Sequence, residues 1–157
     1  MNYLFPRSFK RMGWILLFPS FIFGLFLMVN QFPTWEFFDW QVFAFIDEAF
    51  MGSDSYFKLV KNNVIDEITG TILLIGLVLV AFSKEKVEDE FISKIRVESL
   101  VWATYVNYAV LLVSILFVYG GSFFSVLIFN LFTILFFFII RFNWMLHKSA
   151  KTLVDEK

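Results

Sequence analysis

Few polar side chains lie in the apolar parts of this chain, and their positions decide which chemistry is open to it. Asp66 and Glu67 stand side by side at the head of an apolar run. Two adjacent carboxylates can receive a cation, but acids also belong at a helix N-terminus, where the backbone dipole favours negative charge. Glu98 and Arg141 flank two later apolar runs, and Tyr105, Asn107, Tyr108, Asn130 and Thr133 lie deeper within them. The one histidine, His147, has neither a second histidine nor any cysteine to share a metal with. The absence of cysteine excludes thiol catalysis and disulfides. No Ser–His–carboxylate set, helically spaced metal-ligand pair or phosphate-cradling glycine loop is visible. The expectation is a non-enzymatic protein with no catalytic residue, no cofactor and no metal site.

The elements that carry these residues are four apolar stretches, about 12–32, 64–82, 98–119 and 122–144. Each has the length of about 20 residues that a helix needs to cross a hydrocarbon core about 30 Å thick. Of the 157 residues 59% are hydrophobic, above the about 45–50% of soluble domains. The expected fold class is all-α: one transmembrane domain over 1–157, a membrane-spanning four-helix bundle whose 24 Phe residues mostly face lipid. Net charge is −1, so nothing in the overall charge points to direct nucleic acid binding.

Basic residues are unevenly placed. Arg7, Lys10 and Arg11 precede the first stretch, Lys84, Lys86, Lys94 and Arg96 separate the second from the third, and Arg141, Lys148, Lys151 and Lys157 end the chain. The loop after the first stretch carries Lys58 and Lys61 against five acids, and Gly120-Gly121-Ser122 carries no charge. The positive-inside rule then puts both termini in the cytoplasm, as expected of a multi-pass protein of a bacterial inner membrane. Small or polar residues recur along one face of each stretch: Gly13, Ser20, Gly24 and Gln31; Asp66, Thr69 and Gly76; Ala103, Asn107 and Ser114; Asn130, Thr133 and Arg141. Such faces let helix backbones approach closely in lipid.

Two connections carry patterns of their own. In 34–50, Trp35, Phe38, Val42, Phe45 and Ala49 recur at spacings of three and four, which predicts an extracytoplasmic amphipathic helix capped by Thr34, with Gly52-Ser53-Asp54-Ser55 as a turn. In 84–97, Val87, Phe91 and Ile95 stack at i, i+4 and i+8, predicting a cytoplasmic helix that runs into the third span and offers an apolar stripe to a partner. Folding the last two spans about Gly120-Gly121 sets Glu98 and Arg141 at similar depth, so a structural ion pair is expected. It also brings Tyr108 level with Thr133, so the five deeper polar residues are expected to be packing glue or a small polar pocket.

The stretch Ser83-Lys84-Glu85-Lys86-Val87-Glu88-Asp89-Glu90-Phe91-Ile92-Ser93-Lys94-Ile95-Arg96-Val97-Glu98-Ser99-Leu100-Val101-Trp102-Ala103 resembles the charged cytoplasmic segment leading into the third span of small uncharacterised four-span bacterial membrane proteins. Proteins of that kind are often encoded beside short helix-turn-helix regulators. The resemblance carries over no functional residue. It implies a membrane sensor that holds or releases a cytosolic DNA-binding regulator. A small homo-oligomeric channel or transporter, and a structural subunit of a larger membrane complex, are the other functions expected of such a chain.

Overall fold

The computed structural model describes residues 3–30, 35–47 and 55–155. Helix α1 covers Arg7–Val29, strands β1 and β2 cover Asp39–Asp47 and Ser55–Asn63, and α2, α3 and α4 cover Ile65–Ala81, Glu90–Phe117 and Gly121–Asp155. One helix stands at each apolar stretch read from the sequence. Among the described residues α1, α3 and α4 are long and apolar enough to cross a membrane. The chain divides into two compact units, Met1–Leu17 with Leu74–Lys157, and Phe18–Leu73.

In the first unit the small residues act as the sequence suggests. A Cβ on Gly13 would stand 2.8 Å from Val80 Cγ2, and one on Gly76 would stand 2.9 Å from the Leu17 backbone nitrogen. Only glycine lets α1 and α2 come this close. Val80, Leu77 and Leu17 close over the contact and are buried. Helices α3 and α4 form an antiparallel pair about Gly120, whose φ of 71° is the left-handed conformation a glycine adopts without strain. Ala103, Asn107 and Ser114 are all buried along α3, as their common face predicts. Outward-facing Ile15, Leu131 and Ile140 are exposed, as expected of side chains whose solvent is lipid.

In the second unit Ser20 and Thr69 are buried, and a Cβ on Gly24 would meet Thr69 Cγ2 at an ordinary 3.7 Å. The helix expected over 34–50 is not what forms. Residues 35–38 make a short 3-10 turn, and 39–47 pair antiparallel with 55–63, from Asp39↔Asn63 to Asp47↔Ser55. Thr34, residues 48–50 and most of the predicted Gly52–Ser55 turn lie outside the described residues, as does Gln31. The cause is composition. Trp40, Val42, Phe43, Phe45 and Ile46 are aromatic or β-branched, and 55–63 supplies a partner strand of similar kind. A helix cannot offer these residues cross-strand contacts such as Val42↔Val60 and Phe43↔Leu59.

The base of the hairpin is locked by polar groups. Asn63 Nδ2 donates to Asp39 Oδ1 (2.8 Å) and to Trp35 O (2.9 Å), Lys61 Nζ lies 3.4 Å from Asp39 Oδ2, and Val64 N donates to Phe38 O. The Asn63 bond is the main reason that the Asp39 carboxyl titrates below the usual carboxylate range; partial burial opposes the shift and Lys61 reinforces it. A depressed folded pKa adds stability above the ordinary carboxylate range, and that stability is lost as pH falls through the folded value.

Three outcomes are expected. Gly76→Leu forces apart α1 and α2 and costs about 1–3 kcal/mol, the usual cost of overpacking. Gly121→Ala, whose Cβ meets nothing within 4 Å, leaves the melting temperature in detergent unchanged. Between pH 5 and pH 2 the fluorescence of Trp40 changes in the wild-type hairpin, and Asp39→Asn removes most of that dependence.

Candidate functional site

The polar centre of the first unit is Arg96, in the second turn of α3. The helix begins at Glu90 because Asp89 caps it, its carboxylate accepting from Ile92 N at 2.8 Å. The start at Glu90 corrects the expected helix over 84–97, since Val87 lies ahead of α3. It also fixes which side of α3 turns inward: Ile95, Arg96, Ser99 and Ala103 are buried. Val87 and Phe91 are exposed, so the expected stripe of Val87, Phe91 and Ile95 is not one face.

Arg96 is only 3% exposed. Its Nη1 donates to Ala81 O (2.9 Å), and its Nη2 to Ser83 O (3.3 Å) and to both oxygens of Glu88 (3.2 Å each). Its guanidinium carbon sits 4.5 Å from the centroid of the Phe142 ring on α4. One side chain thus ties together the end of α2, the connection after it, α3 and α4. Two donors on this buried face have no protein partner: Arg96 Nε and, one turn along, Ser99 Oγ. A buried polar group without a partner is costly and calls for an explanation.

The connection around this arginine is fixed from a second side. Phe5 N donates to Phe82 O, and Lys84 N donates to Phe5 O, so the N-terminal segment lies along it like a parallel strand. Lys10 pairs with Glu85. A cavity of about 580 Å³ opens here, walled by Leu4, Phe82, Val97, Leu100 and Phe138, with Arg96 in its lining. Tyr3 stands at its edge and is almost wholly exposed.

The other candidates fall out as follows. Glu98 and Arg141 do not pair. Glu98 lies 4.0 Å from Lys94 on its own helix, whereas Arg141 lies over Trp102 and Trp144, 5.0 and 5.4 Å from their rings. Two indole faces give the guanidinium cation–π contacts in place of a carboxylate. Of the deeper polar set, three residues come together. Thr133 Oγ1 donates to Asn107 Oδ1 (2.6 Å), and the Asn107 and Asn130 amides exchange bonds of 3.2 and 3.4 Å. Tyr105 and Tyr108 point outward and are exposed, which corrects their place in a pocket. Glu67 in the first turn of α2 accepts from Asn62 Nδ2 at 2.8 Å, the structural role that its position suggests. His147 is exposed on α4, and among the described residues no group of acids or histidines could hold a metal ion.

No protein-family model, curated protein or solved structure matches the chain. The sequence signal for Arg96 was available but easily lost. It is one of many charges between Lys84 and Glu98, and only its position one residue after Ile95 and three before Ser99 sets it on the inward face.

Replacing Arg96 by Met should cost about 3–5 kcal/mol, because Glu88 and two carbonyls lose their donor in a buried place. Thermal unfolding in detergent measures it. Asn107→Ala should cost about 1–2 kcal/mol, at roughly 0.6 kcal/mol per lost interhelical bond plus the cavity left behind, and Tyr105→Phe and Tyr108→Phe should be neutral.

Proposed function

We propose that this chain is a four-span inner-membrane protein, both termini and the 82–89 connection cytoplasmic, that regulates by holding a cytosolic partner at that connection and the start of α3. Helix α2, at 17 residues, lies at the short end of the range for a span, and the charge bias supports the orientation. The observation that carries the reading is the fixing of the connection. A plain linker between two spans needs no buried arginine, no backbone pairing with the N-terminal segment and no Lys10–Glu85 pair. Here these interactions hold a short segment in one shape, and Val87 and Phe91 stand exposed upon it beside Lys84, Lys86 and Glu90. Exposed apolar groups on a rigid, charged frame suit recognition by a protein. The resemblance of 83–103 to proteins encoded beside helix-turn-helix regulators points to a DNA-binding regulator as that partner. The channel reading draws little support from Asn107, Asn130 and Thr133, which satisfy one another rather than line a path.

The chain has no cysteine, so single cysteines report cleanly on topology. Ser122→Cys should react with an impermeant maleimide from outside the cell, and Lys86→Cys only after the membrane is opened. A photo-crosslinking residue at Val87 or Phe91 should capture one cytosolic DNA-binding protein in native membranes. Phe91→Ala combined with Val87→Asp should reduce that capture at least tenfold with insertion unchanged. Recovery of the chain crosslinked only to itself would overturn the partner assignment and turn attention to a homo-oligomeric channel.

A further inference from the structure

The cavity beside Arg96 has the size of a ligand site and one charged group in its wall. Its volume of about 580 Å³ falls in the range of about 300–1,000 Å³ usual for small-molecule sites. Its walls are apolar, from Leu4, Phe82, Val97, Leu100 and Phe138, and the charged group in its lining is Arg96. Val97 and Leu100 are themselves substantially exposed, as is Val101 beside them on α3. The wall therefore continues into the apolar outer surface of the helix, so an acyl chain can enter sideways from a bilayer. A soluble polar metabolite would find almost nothing to bond.

The polar end of such a ligand is set by what Arg96 has left to give. Glu88 already balances its charge, and the Ala81 and Ser83 carbonyls take further donors. What remains on this side chain, only 3% exposed, is the Nε–H, which has no protein acceptor, and the second N–H of Nη1, whose other N–H goes to Ala81 O. A guanidinium N–H can only donate, so the missing group is an oxygen acceptor, not a cation.

We propose that this cavity binds one amphiphile, an acyl chain ending in a carboxyl or ester head, with its oxygen accepting from the Arg96 guanidinium. A free fatty acid and a glycerophospholipid share that chemistry. The inference stands on the cavity and Arg96 and is independent of any cytosolic partner at Val87 and Phe91.

The test is native mass spectrometry of the full chain in dodecyl maltoside with added oleate, dioleoylphosphatidylglycerol or oleylamine. Oleylamine has the same chain as oleate but an ammonium head that offers only donors. Leu100→Trp fills the cavity from its half-exposed wall and leaves Arg96 itself unsubstituted, and its melting temperature shows that it is folded. One equivalent of oleate or of the phospholipid should be retained by the wild type and at least tenfold less by Leu100→Trp, with oleylamine binding at least tenfold more weakly than oleate. Whichever of the first two binds more tightly identifies the source. Equal retention by wild type and Leu100→Trp, oleylamine binding as well as oleate, or retention of neither oleate nor phospholipid would overturn the proposal.

Discussion

A guanidinium removed from water must be met on nearly every edge, and at Arg96 that demand organises the first unit. The end of α2 supplies one acceptor, the connection that follows supplies Ser83 O and Glu88, α3 carries the arginine itself, and α4 supplies the Phe142 face. Each contact fixes a different piece of chain. The connection cannot be a loose tether, because Ser83 O and Glu88 are both bound to the same side chain. The carboxylate alone would not do this, since removal of either partner from a buried pair leaves the other charge stranded. What it gains over an apolar core is direction, because the planar fork donates in only a few directions.

The glycine contacts act beside it with a different physics. In lipid there is little hydrophobic drive between helices, so association depends on close approach and on the few hydrogen bonds that cross. Gly13 and Gly76 give the first to α1 and α2, and the Asn107–Asn130–Thr133 set gives the second to α3 and α4. The polar residues of the apolar helices are thus mostly spent on holding helices together. That leaves the connection between α2 and α3 and its cavity as the part of the chain whose features packing does not use up.

The hairpin carries a lesson about pattern. Spacings of three and four over Trp35, Phe38, Val42, Phe45 and Ala49 fit a helix, yet Phe43 and Phe45, or Val42 and Ala44, fit one side of a strand equally well. Short apolar segments satisfy both periods. The choice fell to residues 55–63, which bring the partner strand and the Asn63 side chain that holds Asp39 and Trp35. Arg141 is similar: antiparallel folding placed it near Glu98, but the nearer groups were the two indoles.

The sequence by itself determined the apolar length and the positions of the four helices, the Gly120 turn, the small faces and that deep polar groups would bond between α3 and α4. These follow from length, apolar content and helical spacing, all of which act along the chain or between neighbours in it. Only the tertiary structure decided the strand pairing of 39–47, the burial of Arg96, the exposure of Tyr105 and Tyr108 and the company of Arg141. Each depends on which distant group arrives first within bonding distance. A charge read in sequence carries no mark of whether water or a ring of carbonyls will surround it.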